Sequence, residues 1–375
     1  MRMHSFKGLA AAFALTASAT AAQAIDLNAS IWFPDSQPLA KVGYIEWAKN
    51  VAKASGGDIK VNVFTGTSLL PVNAHLSGLR DGIAHITYHA GTYTPSDLPE
   101  DNVLAILAIS LKDPIVTTFA VADFYLNDPA MQALWKRQGI VFLGAYASIP
   151  YNLICRRQVD KLADLKGLKV RTPGSVHAEW ARSIGAVPVN VPSSEMFTGL
   201  DKGQLDCVAM GANELKTRSL WDVAKFVNTA NLGPYFAGWQ WAMHGPTWKK
   251  LNDKQRRVLL QTISDSTVDT ELAYIQSGQE ALTESAQHKV KVTEPAADLA
   301  GSISSFAAQA RTMAIKEGTE RFKLADAAGL VSRFEATVQK WQKLVDGVDR
   351  RDAAALKNLL RTQVYDKVDT AKHGQ

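Results

Sequence analysis

The alternation of strand and helix patterns at the start of this chain constrains its fold most. Ile25 to Phe33 reads as a strand stopped by Pro34-Asp35-Ser36. Leu39 to Ala54 follows with a helical stripe of Val42, Ile45, Trp47, Ala48 and Val51, broken at Ser55-Gly56-Gly57-Asp58. Ile59 to Phe64 alternates as a strand, Asn73 to Asp81 reads as a short helix, and Ile83 to Tyr88 as a third strand. A βαβαβ start favours a parallel sheet with helices on its faces.

The pattern then restarts. Helices are expected at Asp113–Leu126 and Pro129–Gln138, then apolar strands at Gly139–Ala147 and Pro150–Arg156. Beyond the Ser148-Ile149-Pro150 crossing come a helix near Leu162, a strand ending at Arg171, a helix over Val176–Ile184 and a strand at Val187–Val189. A helix over Ser194–Lys202 and a strand over Leu205–Met210 complete the repeat. The expected fold class is α/β with two lobes and a hinged cleft. Lobe I takes residues 25–149 and 236–275; lobe II takes 150–235 and 276–348; 349–375 form a helical tail. Asn252 or Asp253 can cap a helix that continues to about Gln287. Some 35 residues span about 50 Å, enough to cross both lobes. Further helices are expected at Ser302–Glu320, Phe334–Val345 and Ala353–Leu360.

Residues 1–24 read as an export signal. Arg2 and Lys7 form a positive start, Gly8–Thr20 is an apolar run, and Ala22-Gln23-Ala24 fits the small-x-small cleavage rule. The run is too short to span a membrane. The expected mature chain starts at Ile25 and is exported, most simply to a bacterial periplasm, without stable membrane insertion. Losing Arg2 and Lys7 takes the formal charge from +5 to +3. Basic residues are scattered, so a nucleic-acid partner is unsupported. About 350 mature residues can bury a large core in two lobes. Cys155 and Cys207 are the only cysteines. In an oxidising compartment they could pair, and as residues of apolar strands they could equally be buried thiols.

No catalytic or metal motif emerges, and no cofactor is expected. His85 and His89 are four apart, a metal-pair spacing on a helix, but the segment reads as a strand, which sets them about 13 Å apart. There is no GxSxG elbow, HExxH helix or P-loop. An arginine closing a strand beside a cleft has another use. Its planar, permanently charged fork matches a carboxylate, and Arg171 stands at such a place, before Thr172-Pro173-Gly174; taken by itself the stretch fits a solvated surface arginine in a weak ion pair as well.

Four segments in order carry a family resemblance: Asp164-Leu165-Lys166-Gly167-Leu168-Lys169-Val170-Arg171, then Gly185-Ala186-x-Pro188-Val189, Ser194-Glu195-Met196-Phe197-x-x-Leu200, and Gly203-x-Leu205-Asp206. This stretch resembles the DctP-like solute-binding proteins of tripartite ATP-independent periplasmic (TRAP) transporters. Weaker likeness covers the mature chain, including Gly82-Ile83-Ala84 and Trp248-Lys249-Lys250-Leu251. The resemblance implies a periplasmic receptor that captures a small organic acid and delivers it to the TRAP membrane permease subunits. It also implies that Arg171 bridges to the ligand carboxylate. Family sialic-acid binders carry a second arginine twenty residues earlier, where Tyr151 stands, and an asparagine near the place of Met210. Those departures point away from a sugar acid. They leave a compact mono- or dicarboxylate, or an aromatic acid.

Other wall candidates follow from position. Trp32 and Phe33 end the first strand, and Tyr88 and His89 the third, with Tyr93 after them. Ligands of open α/β sheets bind at the carboxyl ends of strands, although aromatics there also pack as core. Asn213 could hold ligand oxygens or cap the next helix. Period-two alternation puts Trp239 and Trp241 on one face of a strand, with Trp239 the better cleft candidate. Rival readings are an exported two-lobed enzyme acting on a small acid and a binding partner of a sensor kinase.

Overall fold

The computed structural model describes residues 24–375, so the expected export signal falls outside the described residues except for its last residue, Ala24. Among the described residues, eleven strands form two sheets. The first sheet contains β1 (Ile25–Ser30), β2 (Ile59–Phe64), β3 (Ile86–Ala90), β4 (Ile140–Gly144) and β10 (Gly238–His244), in the order β2-β1-β3-β10-β4. β1 runs parallel to β2 and β3, while β10 runs antiparallel to β3 and β4. The second sheet contains β5 (Asn152–Cys155), β6 (Lys169–Arg171), β7 (Val187–Val189), β8 (Cys207–Met210), β9 (Phe226–Asn228) and β11 (Lys291–Thr293), in the order β11-β9-β5-β8-β6-β7. The two-lobed α/β class read from the alternation is the architecture observed. Among the described residues, no helix is long and apolar enough to cross a membrane.

Two segments carry the chain between the sheets, and they bond to each other. Ser148 N donates to Tyr235 O at 2.8 Å, Tyr151 N to Gly233 O at 2.9 Å, and Leu232 N to Tyr151 O at 3.0 Å. The third connection is the helix Asp253–Glu284, whose 32 residues make it about 48 Å long. Asn252 and Gln255 cap its start reciprocally. On the first lobe Thr262 accepts from Trp47 Nε1 at 3.2 Å. Farther on, Glu284 takes an ion pair at 2.9 Å from Lys216 of the second lobe. The helix therefore bridges both lobes.

Three expectations need correction. The span 276–348 does not belong wholly to the second lobe. Helix Ala327–Asp346 packs on Pro114–Asn127 of the first, through Phe334 on Phe124, Trp341 on Phe119 and the Lys340–Asp123 pair at 2.7 Å. Its apolar stripe needed a partner, and the stripe alone did not say which lobe supplied it. The expected shared face of Trp239 and Trp241 is broken by a register shift in β10. An extra residue in one strand puts neighbours out of alternation. Trp241 packs on Tyr44 and Trp47, whereas Trp239 packs on Trp135 and His89 on the other side. Finally, the short strands β9 and β11 lie where the sequence suggested none; each has three residues, too few for a visible period.

Cys155 and Cys207 are disulfide-bonded. They stand directly opposite each other in the antiparallel pair β5–β8, with Cα atoms 4.1 Å apart, so strand pairing alone brings them together. The bridge closes a 52-residue separation, for which loop-entropy reasoning gives about 4 kcal/mol and measured bridges typically about 2–4 kcal/mol. Reduction, or Cys155→Ala with Cys207→Ala, should lower the denaturant midpoint accordingly. Equal midpoints with and without reductant would show that the bridge adds nothing.

Candidate functional site

The strand order aims several carboxyl ends at one gap between the lobes. Arg171 closes β6, flanked in register by Val189 of β7 and Val208 of β8. Its side chain is only 2% exposed. Nε donates to Val191 O at 3.1 Å, Nη1 lies 3.7 Å from Met210 Sδ, and Nη2 donates to Tyr93 OH at 3.4 Å. All three partners are neutral, and Arg171 has no ion-pair partner among the described residues. A buried guanidinium held this way lacks the compensation that buried charges normally require.

The walls around it are aromatic. From the first lobe come Trp32 and Phe33 after β1, Tyr88 in β3, Tyr93, and Tyr146 beyond β4. The second lobe adds Tyr151, Ser193 and Met210 beside Arg171. The two paired crossing segments and the long helix complete the enclosure with Ser148, Tyr235 and Tyr274. Trp32 stacks over Tyr93 at 5.8 Å and meets Tyr88 edge-on at 4.5 Å. The Tyr88 and Tyr146 hydroxyls bond to each other. Burial holds the phenols of Tyr88, Tyr146, Tyr151, Tyr235 and Tyr274 above their ordinary range, so they act as neutral donors and acceptors. Trp32 Nε1 is buried and has no acceptor among the described residues.

The expected wall residues divide clearly. Arg171, Trp32, Phe33, Tyr88, Tyr93, Tyr151 and Met210 line one cavity. His89, Trp239 and Asn213 do not, which corrects their placement. His89 follows Tyr88 in β3 and so faces the opposite side, where its Nε2 bonds Thr94 Oγ1 at 2.8 Å and burial lowers its pKa to about 3. Trp239 donates to Thr87 Oγ1 at 3.3 Å within that same layer. Asn213 is fully buried beneath the wall and donates to Glu214 Oε1 at 3.0 Å; its side chain does not cap the helix after it.

Sequence reasoning missed Tyr146, Ser148, Ser193, Tyr235 and Tyr274. The signal available was topological. A cleft between lobes must be passed by every segment that crosses, and these residues lie on or next to such segments, except Ser193. It also missed the support behind the wall. Glu214 is completely buried, and its Oε2 lies 2.7 Å from Arg218 Nε. Arg218 in turn sits 5.0 Å over the Phe33 ring. Larger grooves exist, such as that beside Trp135, Lys136 and Lys249, but it lies on the outer shell of the first lobe and holds no buried uncompensated charge. Among the described residues no three His, Cys, Asp or Glu side chains are grouped to hold a metal ion.

Residues 29–316 match the family model for bacterial extracellular solute-binding protein, family 7. A solute-binding protein of Albidiferax ferrireducens is 25% identical over 223 residues, which cover 57% of this chain and 63% of that protein. A TRAP solute-binding protein from Rhodoferax ferrireducens, solved with copurified benzoate, superposes with a TM-score of 0.76 at 19% identity, covering 86% of this chain and 99% of that one. A marine-metagenome TRAP solute-binding protein specific for aromatic acid ligands, solved with metahydroxyphenylacetate, gives 0.75 at 19% identity over 84% and 99%. These relatives are binding proteins by name, and the DctP-like resemblance carried by the four motif segments agrees with the family that matches. This chain belongs to family 7 of the bacterial extracellular solute-binding proteins.

Proposed function

We propose that the protein is an extracytoplasmic receptor that captures a small organic acid with Arg171 and hands it to a TRAP membrane permease. One observation carries this reading: the guanidinium is buried between the lobes with only neutral protein partners. A ligand carboxylate would supply the missing charge through charge-assisted hydrogen bonds, each about 1.5–3 kcal/mol net. The solved relatives named above hold benzoate and metahydroxyphenylacetate, both carboxylates.

Closure follows from the same electrostatics. Parting the lobes breaks contacts such as Thr92 Oγ1 to Pro173 O at 2.7 Å, Ser193 N to Tyr93 OH at 3.0 Å and Ser36 Oγ to Thr217 O at 3.1 Å. In return the cation regains water. A bound acid tips the balance to the closed form because it cancels the charge only there. The free space inside the closed walls is about 20 Å³, far below the roughly 150 Å³ that admits a benzene ring. A guest must therefore enter as the lobes open, and the walls re-form around it. The signal expected in residues 1–24 fits delivery outside the cytoplasm.

The test is thermal melting against a panel of organic acids, with tryptophan emission followed in parallel. A true ligand at one hundred times its Kd adds about 2.7 kcal/mol of stability and should raise the melting point by several degrees. Nine tryptophans, Trp32 among them, should report closure. If no acid moved either signal, or if a bound acid were turned over, the receptor reading would fail.

A further inference from the structure

A narrower ligand class follows from the cavity's charges, and it rests on the carboxylate reading of Arg171. Among the described residues, Arg171 is the only charged side chain in the cavity wall. The guanidinium of Arg218, behind Phe33, is already matched by Glu214. The two lobes present different chemistry: the second brings the cation and the first brings neutral hydrogen-bonding groups. Tyr88 and Tyr146 both line the cavity, with rings 5.2 Å apart and hydroxyls bonded together. One O–H of that pair is used within it. The other O–H and the spare lone pairs have no further protein partner among the described residues. Trp32 Nε1 beside them is a second buried donor without an acceptor among the described residues.

We infer that the site takes a monocarboxylate bearing one neutral oxygen, a hydroxyl or carbonyl, and rejects dicarboxylates, with Tyr88, Tyr146 and Trp32 reading the neutral oxygen. A second carboxylate would be buried among phenols with no cation to cancel it, which is strongly unfavourable. A neutral oxygen instead satisfies donors that are otherwise left without partners. The phenols stay protonated because burial opposes their ionisation. A ligand that spans the cation of one lobe and the hydroxyls of the other also ties recognition to closure.

Two matched series test this by titration calorimetry on the purified protein: butyrate, 4-hydroxybutyrate and succinate; benzoate, 3-hydroxybenzoate and isophthalate. In each series a hydrogen or methyl, a hydroxyl and a second carboxylate compete for the same end. In at least one series the hydroxy acid should bind about tenfold tighter than its parent, as one net hydrogen bond implies. The dianion should bind at least about a hundredfold weaker than the hydroxy acid. Tyr88→Phe with Tyr146→Phe should erase the hydroxy acid's advantage over its parent, read as the ratio of the two affinities in the same variant; Tyr146→Phe alone serves if the double variant melts early. Dianion binding equal to the parent overturns the inference. So does a hydroxyl preference that survives in the Phe variants, or silence from all six acids while another acid binds through Arg171. Affinities that ignore Arg171→Met would instead overturn the carboxylate reading itself, so the two failures are distinguishable.

Discussion

Arg171→Met should abolish acid binding while leaving the protein at least as stable as before. The two halves of that expectation have one cause. The guanidinium is 2% exposed and held only by a carbonyl, a thioether and a phenol. Removing a buried charge that has no counter-charge relieves a desolvation penalty, and an apolar side chain of similar length fills its space; such exchanges are often neutral or stabilising. The loss is the bonds to Val191 O and the Tyr93 hydroxyl and the weak contact with Met210 Sδ, about 1 kcal/mol for each hydrogen bond. For the ligand the balance reverses. A two-pronged clamp on a carboxylate is worth about 3–6 kcal/mol, so affinity should fall by about 10²–10⁴. Arg171→Lys should recover little, because an ammonium is a point charge and cannot reproduce the fork. Calorimetry on the tightest acid, with melting curves of the free variants, checks both halves. Unchanged affinity would remove Arg171 from the site, and a sharply lowered melting point would show that it is structural.

Where sequence reasoning succeeded, the signal was local. Arg171 was legible because a strand end, a proline and a family motif coincide within ten residues. Trp32, Phe33, Tyr88 and Tyr93 were legible because strand carboxyl ends in an α/β layer point toward the cleft. The failures were non-local. His89 was paired with Tyr88 by proximity, although consecutive strand residues face opposite ways. Trp239 and Trp241 were given one face because nothing in Gly238-Trp239-Gln240-Trp241 marks the register shift, which β10 takes while pairing with β3 and β4 together. Gly238 itself explains part of it. Its φ is +88°, and an added Cβ would lie 2.0 Å from His89 O, so the backbone there follows a path open mainly to glycine. Tyr146, Tyr235 and Tyr274 face the cavity only because three separate connections meet at it. Helix 327–346 returned to the first lobe for a similar reason: its charges answer Asp123 and Asp128, some two hundred positions earlier in the chain.

The Glu214–Arg218 pair spans only four positions but braces groups far apart in the chain, and breaking it from the arginine side should be costly. Glu214 is completely buried. Its carboxylate takes Gln37 Nε2 at 3.1 Å and Asn213 Nδ2 at 3.0 Å on one oxygen, and the other oxygen lies 2.7 Å from Arg218 Nε. Gln37 comes from the first lobe and also donates to Tyr274 OH on the long helix at 2.7 Å, so the carboxylate ties three elements together behind the cavity wall. Arg218→Met keeps the bulk over Phe33 but leaves a buried carboxylate unpaired, a defect that typically costs about 3–5 kcal/mol. Adding Glu214→Gln removes the stranded charge and should restore most of that loss, because residues of one network are not additive. Glu214→Gln alone should be much milder. The Arg218 side chain is 11% exposed, and its Nη2 still reaches Ser193 Oγ at 3.3 Å. The order expected from denaturant unfolding is therefore wild type, then Glu214→Gln close to the double variant, then Arg218→Met well below both. The free energies should also report on closure. Gln37 and Phe33 are first-lobe residues held against the second lobe by this pair, so the Arg218→Met protein should bind acid more weakly than the double variant does. An Arg218→Met variant that unfolds within about 1 kcal/mol of wild type, or a double variant no better than the single, would reduce the pair to a surface ion contact and free the cavity wall from any dependence on it.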